Sequence, residues 1–142
     1  MLGTEPDVKE TYVKAGQVKL VFNPMLDHGD RSFQAHQAAE CAAEQGQFWA
    51  LHDVMFERQP ELYGGNIMET LKVMAAEVGL DSAQFNTCLD EQRYAELVLS
   101  QDERRHQFGI RTRPTFDINQ QFVVGAQPFA ALQSVIEPML SQ

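Results

Sequence analysis

Apolar residues recur along this chain mostly at helical spacing, with strand-like runs at residues 18–23 and 115–124. At the start, Val8, Tyr12 and Val13 fall on one side of a helix spanning residues 5–14, with Gly16 just past its end. Residues 18–23 read V-K-L-V-F-N: Leu20 and Phe22 share one face, Val21 takes the other, and Pro24 ends the run. That pattern predicts a strand covered on both faces. Residues 25–31 read as a loop, and Ser32 is placed to cap a helix running to about residue 44. Ala35, Ala38, Ala39, Ala42 and Ala43 give this helix a small-sided surface for close packing, and Gly46 is its natural stop.

Phe48, Leu51, Val54 and Met55 mark a buried amphipathic helix over residues 48–58, with Trp49 and Phe56 near the same stripe. Residues 59–65 read as a loop ending at Asn66, a good cap for a helix striped by Met68, Leu71, Met74, Ala75 and Val78 and stopped at Gly79. Asp81 caps a shorter helix with Phe85, Cys88 and Leu89 on one face; a longer one follows with Tyr94, Leu97 and Val98, ended by Gly109. Then the period changes to two. Residues 115–118 (T-F-D-I) and 121–124 (Q-F-V-V) predict two strands joined by a tight turn at Asn119 and Gln120, entered through Pro114 and followed by a helix with Pro128 in its first turn. The order is helix, strand, about five helices, hairpin, helix.

With 142 residues, 44% hydrophobic and 9% aromatic, the chain can bury a true core. A net charge of −9 and a pI near 4.8, with no basic run longer than Arg104 and Arg105, repel phosphate backbones, so nucleic acid is not an expected partner. No run approaches the roughly 18 apolar residues of a membrane span, and the first residues lack the basic start and apolar core of a signal peptide. A membrane is not an expected partner either. No Gly-rich phosphate loop and no Ser-nucleophile motif occurs, and no cofactor is expected.

Proline, strand, turn, strand, glycine, proline and helix over residues 109–129 resemble the C-terminal half of a thioredoxin fold. The wording G-I-R-T-R-P-T-F, residues 109–116, resembles the DsbA-like thiol:disulfide oxidoreductase branch. Two further runs carry the resemblance: A-A-E-C-A-A-E-Q-G-Q-F-W, residues 38–49, and G-L-D-S-A-Q-F-N-T-C-L, residues 79–89. It implies an α/β fold with a small mixed sheet and a cis bond at Pro114. It also implies an incomplete thioredoxin-like portion, residues 1–31 and 107–142, interrupted by a helical subdomain, residues 32–106, in one compact domain. The family usually has a small or β-branched residue before that proline; here it is Arg113.

The family places Cys-x-x-Cys at the start of its first helix, where helix-terminal N–H groups stabilise the nucleophilic thiolate. This chain holds no such motif, and the residues before Val18 suffice only for the tail of that helix. No dithiol can cycle without the pair, so the chain as written is expected to be redox-inactive, with no catalytic residue. By analogy the absent strand lies between residues 18–23 and 115–119, which would leave those strands roughly 9.5 Å apart. Buried backbone groups left unpaired cost about 1–3 kcal/mol each. Direct closure of the gap or a second copy of the chain would satisfy them, and a homo-oligomer, a dimer, is expected.

Cys41 and Cys88 admit two readings. The family often has cysteines at both places, and a bridge would stabilise by about 4 kcal/mol on the loop-entropy model; otherwise they are two buried thiols acting as small hydrophobes. Asp27, His28, Asp30 and His36 match no standard ligand spacing; they read as solvated loop charges and an exposed helical histidine, and no metal is expected. His52 and His106 likewise read as surface residues. Two function classes follow: a DsbA-like oxidoreductase remnant, or a non-catalytic binding or scaffold module. In the second, the backbone at Arg113, Pro114 and Thr115 pairs with an extended peptide, and Arg113 favours acidic ligands. A remnant of a glutathione-dependent transferase or isomerase on the same fold is a weaker third. The family suggests the cell envelope; the N-terminus suggests the cytoplasm if this is the full product.

Overall fold

The computed structural model describes residues 3–141, which form two compact units, residues 3–22 with 106–141 and residues 23–105. The second unit is helical. It contains α2 (Asp30–Ala43), α3 (Phe48–Glu57), α4 (Gln59–Tyr63), α5 (Ile67–Glu77), α6 (Ser82–Asp90) and most of α7 (Ala95–Gln107). Helix α2 is its centre, because Ala38, Ala39 and Ala42 are fully buried and let α3, α5 and α6 approach its backbone closely. Leu51, Leu71, Met74, Phe85 and Leu89 fill the space around it, each with no accessible surface. Burying a side chain of this size stabilises by about 1.5–3 kcal/mol.

Local chemistry sets two of the helix starts where the sequence places them. The Asn66 side chain accepts from Met68 N–H at 3.0 Å, and Asp81 accepts from Gln84 N–H at 2.8 Å. The start of α2 differs from expectation. Gly29, at φ +58°, is the N-cap, and Ser32 lies inside the first turn. Its hydroxyl is held locally, donating to Gly29 O at 3.0 Å and accepting from His28 N–H at 3.1 Å. Residues 59–63, expected as loop, form α4, since Pro60 fits a first helical turn, where its missing N–H costs nothing.

In the first unit, α1 (Thr4–Val8) runs into a π-helical turn (Lys9–Val13), and Val8 and Tyr12 pack with Leu132 and Ile136 of α8 (Phe129–Leu140). The sheet has two strands, β1 (Thr115–Ile118) and β2 (Gln121–Val124), paired antiparallel with Thr115 opposite Val124 and Ile118 opposite Gln121. Its inner face sets Phe116, Ile118 and Val123 against the α1 and α8 cluster. The turn residues Asn119 and Gln120 have φ of +47° and +74°, the positive pair a type I′ turn demands. Glutamine pays for that conformation where glycine would not, so Gln120→Gly is expected to raise stability by roughly 1 kcal/mol in urea denaturation. An unchanged or lower midpoint would mean that the turn carries no strain.

Among the described residues the expected mixed sheet is not formed. Residues 18–23 are not a strand: Val18, Leu20 and Phe22 are half-buried while Val21 is 61% exposed, so the alternation survives without a ladder. A strand exists only through lateral pairing, which a one-dimensional pattern does not contain.

Candidate functional site

The loop before β1 begins beyond Gly109, whose φ of +70° turns the chain out of α7. Arg113 is exposed, Pro114 and Thr115 are half-buried, and the Arg113–Pro114 peptide bond is cis. Two hydrogen bonds tie the loop down. Gly125 N–H, at a φ of +85° that favours glycine, donates to Pro114 O at 2.8 Å, and Thr115 Oγ1 donates to Thr112 O. Arg113, Pro114 and Thr115 therefore lead directly into β1, whose only strand partner among the described residues is β2. The other edge of β1 offers backbone donors and acceptors to an extended segment.

Sequence reasoning did not find the groove beside this loop. It has a volume of about 280 Å³ and is lined by Phe108, Ile110, Arg111, Thr115, Phe122 and Val124 among others. The signal lies in strand parity: Phe122 and Val124 alternate with the inward-facing Val123, so they must face outward once the register is set.

The two cysteines lie in the helical unit. Cys41 of α2 and Cys88 of α6 form a disulfide across a separation of 47 residues, with Cα atoms 5.9 Å apart and exposures of 1% and 0%. Glu44, which caps the end of α2 one turn beyond Cys41, accepts from Arg93 Nη1 at 2.9 Å and Tyr94 OH at 2.9 Å. The Arg93 hydrogen bond is the main reason that its carboxyl sits below the ordinary range. The bridge is thus packed inside and flanked by a satisfied carboxylate.

Asp27, His28 and Asp30 each meet a partner outside the group. Asp27 accepts from Arg105 Nη2 at 2.8 Å, the His28 ring stands edge-on to Tyr63 at 5.5 Å between centroids, and Asp30 accepts from Gln34 Nε2 at 3.2 Å. Two expectations of exposure are corrected. His36 is half-buried and desolvation lowers its pKa to about 4; His52 is 3% exposed, with ring centroids of Trp49 and Phe56 at 5.1 and 4.6 Å. Both lie on inward faces of α2 and α3, where helix packing and not residue polarity decided burial.

A model of the thioredoxin family matches residues 2–138. The Na(+)/H(+) antiporter NhaA 3 of Salinispora tropica is 29% identical over 134 residues, covering 93% of this chain and 20% of that protein. Disulfide bond formation protein D of Bacillus subtilis is 23% identical over 141 residues, 95% of this chain and 63% of that protein. The crystal structure of oxidised BdbD from Bacillus subtilis superposes with a TM-score of 0.85 at 22% identity, over 96% of this chain and 76% of that one. The chain spans about a fifth of the length of the antiporters it matches, and no helix among its described residues is long and apolar enough to cross a membrane.

Proposed function

The chain belongs to the DsbA-like branch of the thioredoxin family, and on that premise we propose that these 142 residues act as a peptide-binding module without thiol chemistry of their own. The observation that carries this is the fate of the cysteines: both are spent on the buried Cys41–Cys88 bridge, on helices α2 and α6, and neither belongs to a Cys-x-x-Cys pair. Exchange needs a thiolate within reach of a substrate disulfide. A bridge with 1% and 0% exposure offers neither sulfur to a substrate. The part of the family's working surface that these residues hold is the loop Arg113, Pro114, Thr115 and the adjoining edge of β1, which suits strand addition by an extended peptide.

Two measurements test the two halves of this reading. In an insulin-reduction assay with dithiothreitol, the chain is expected to add nothing to the uncatalysed rate; an acceleration abolished by Cys41→Ser would contradict it. For binding, the backbone amides of Arg113 and Thr115 are expected to shift in nitrogen-15 spectra when an extended eight-residue peptide is titrated in, while those of Asn119 and Gln120 stay in place. Silence of the loop amides at millimolar peptide would remove the binding half.

A further inference from the structure

We propose that the groove on the outer face of the hairpin selects acidic-apolar peptides, with Arg111 taking a carboxylate and Phe108, Phe122 and Val124 an adjacent apolar side chain. This rests on the reading of the loop as a peptide-binding edge and names which peptides it prefers. The apolar part is unusually open: Phe108 is 67% exposed, Phe122 47% and Val124 52%. On β2, Phe122 and Val124 stand opposite Asp117 and Thr115, so the outer face of the sheet carries its apolar groups on one strand and its polar groups on the other. Three large apolar side chains left in water around one groove of about 280 Å³ are the composition of a contact patch.

Charge decides the partner. The chain has 20 acidic against 11 basic residues, and several of its cations are already matched: Arg58 with Glu61 and Glu77, Lys72 with Asp90, Arg93 with Glu44, Arg105 with Asp27 and Asp102. Among the described residues Arg111 has no carboxylate partner. Residues 108–116 contain Arg111 and Arg113 and no acid. The carboxylate on the outer face of the sheet, Asp117, keeps its charge and is held at the turn, where it accepts Gln120 N–H at 2.7 Å. Screening confines charge effects to about 8–10 Å, so a carboxylate seated at this groove answers to the groups beside it, Arg111 in the lining and Asp117 at the turn, more than to the net charge of the chain. A second copy is a poorer occupant, because the carboxylate that its own outer face would offer Arg111 is Asp117, already held at the turn.

Two labelled eight-residue peptides test the preference, one alternating Glu with Phe and Leu, the other identical except for Lys in place of Glu. Fluorescence anisotropy with the 142-residue chain is expected to show the Glu peptide binding on the order of tenfold more tightly, the size of one charge-assisted hydrogen bond. Arg111→Gln should erase that difference, and Phe122→Ser should weaken both peptides; both sites are exposed, and a thermal melt checks that the variants fold. Equal binding of the two peptides, or variants that change nothing while the Arg113 and Thr115 amides still shift, would overturn the groove and leave the loop reading standing. If neither peptide moves those amides, the loop reading fails and takes the groove with it. Concentration-dependent dimerisation lost in Phe122→Ser would identify a second copy as the occupant and also overturn the proposal.

Discussion

Replacing Cys41 and Cys88 together by alanine is expected to lower stability by about 4 kcal/mol, seen as a fall in melting temperature of roughly 10 °C. The magnitude follows from the loop. Bridging residues separated by 47 positions removes closure entropy from the unfolded chain, and that loss is larger than for the short loops of most engineered crosslinks. Its location adds to it. The bridge joins α2 to α6, and the helices it ties carry Ala38, Ala42, Phe85 and Leu89, all without accessible surface. Because both sulfurs are buried, reductant should act slowly on the native chain and quickly in urea. Rapid reduction under native conditions, or a double variant melting within about 2 °C of the parent, would show that the helices hold together without the bridge.

The sequence made some of this legible and not the rest, and the division is physical. The caps Asn66 and Asp81 and the positive-φ turn at Asn119 and Gln120 are decided within four residues, and they stand where the pattern put them. Residues 18–23 were misread because their strand character depended on a neighbour. Leu97 fits a helical stripe yet is 40% exposed, and His52 reads as polar yet is buried; both outcomes depend on which helix faces which. The site divides the same way. Pro114 and its neighbours could be found from loop chemistry and family wording. The groove needed the strand register, which turns Phe122 and Val124 outward, and the position of Phe108 beyond the end of α7.

Lowering the pH from 7 to about 4 is expected to cost the helical unit roughly 3 kcal/mol through His36 alone. Desolvation is the first cause: the ring lies on α2 among packed helices, and its pKa falls from 6.5 to about 4. The Met25 backbone and the Asp102 carboxylate favour the charged ring and His52 opposes it, but none of them outweighs the loss of water. In the unfolded chain the same histidine binds its proton below about 6.5. Between these limits the unfolded state holds more protons, so the stability is full above pH 6.5 and drains away as the pH falls toward 4. A shift of about 2.5 units at about 1.4 kcal/mol each sets the size. Glu40 on the same helix works in the opposite sense: burial raises its carboxyl, so its contribution declines as the pH rises through its folded value. Urea denaturation of the parent and of His36→Gln at pH 4.5, 5.5 and 7.0 separates the two, since glutamine keeps a donor for the Met25 carbonyl and cannot titrate. The stability difference between them should change by about 2.5 kcal/mol between pH 7.0 and 4.5, in the variant's favour at the acid end. Parallel pH profiles would mean that His36 keeps its water in the folded chain, and with it that α2 is packed more loosely on this side than its buried alanines require.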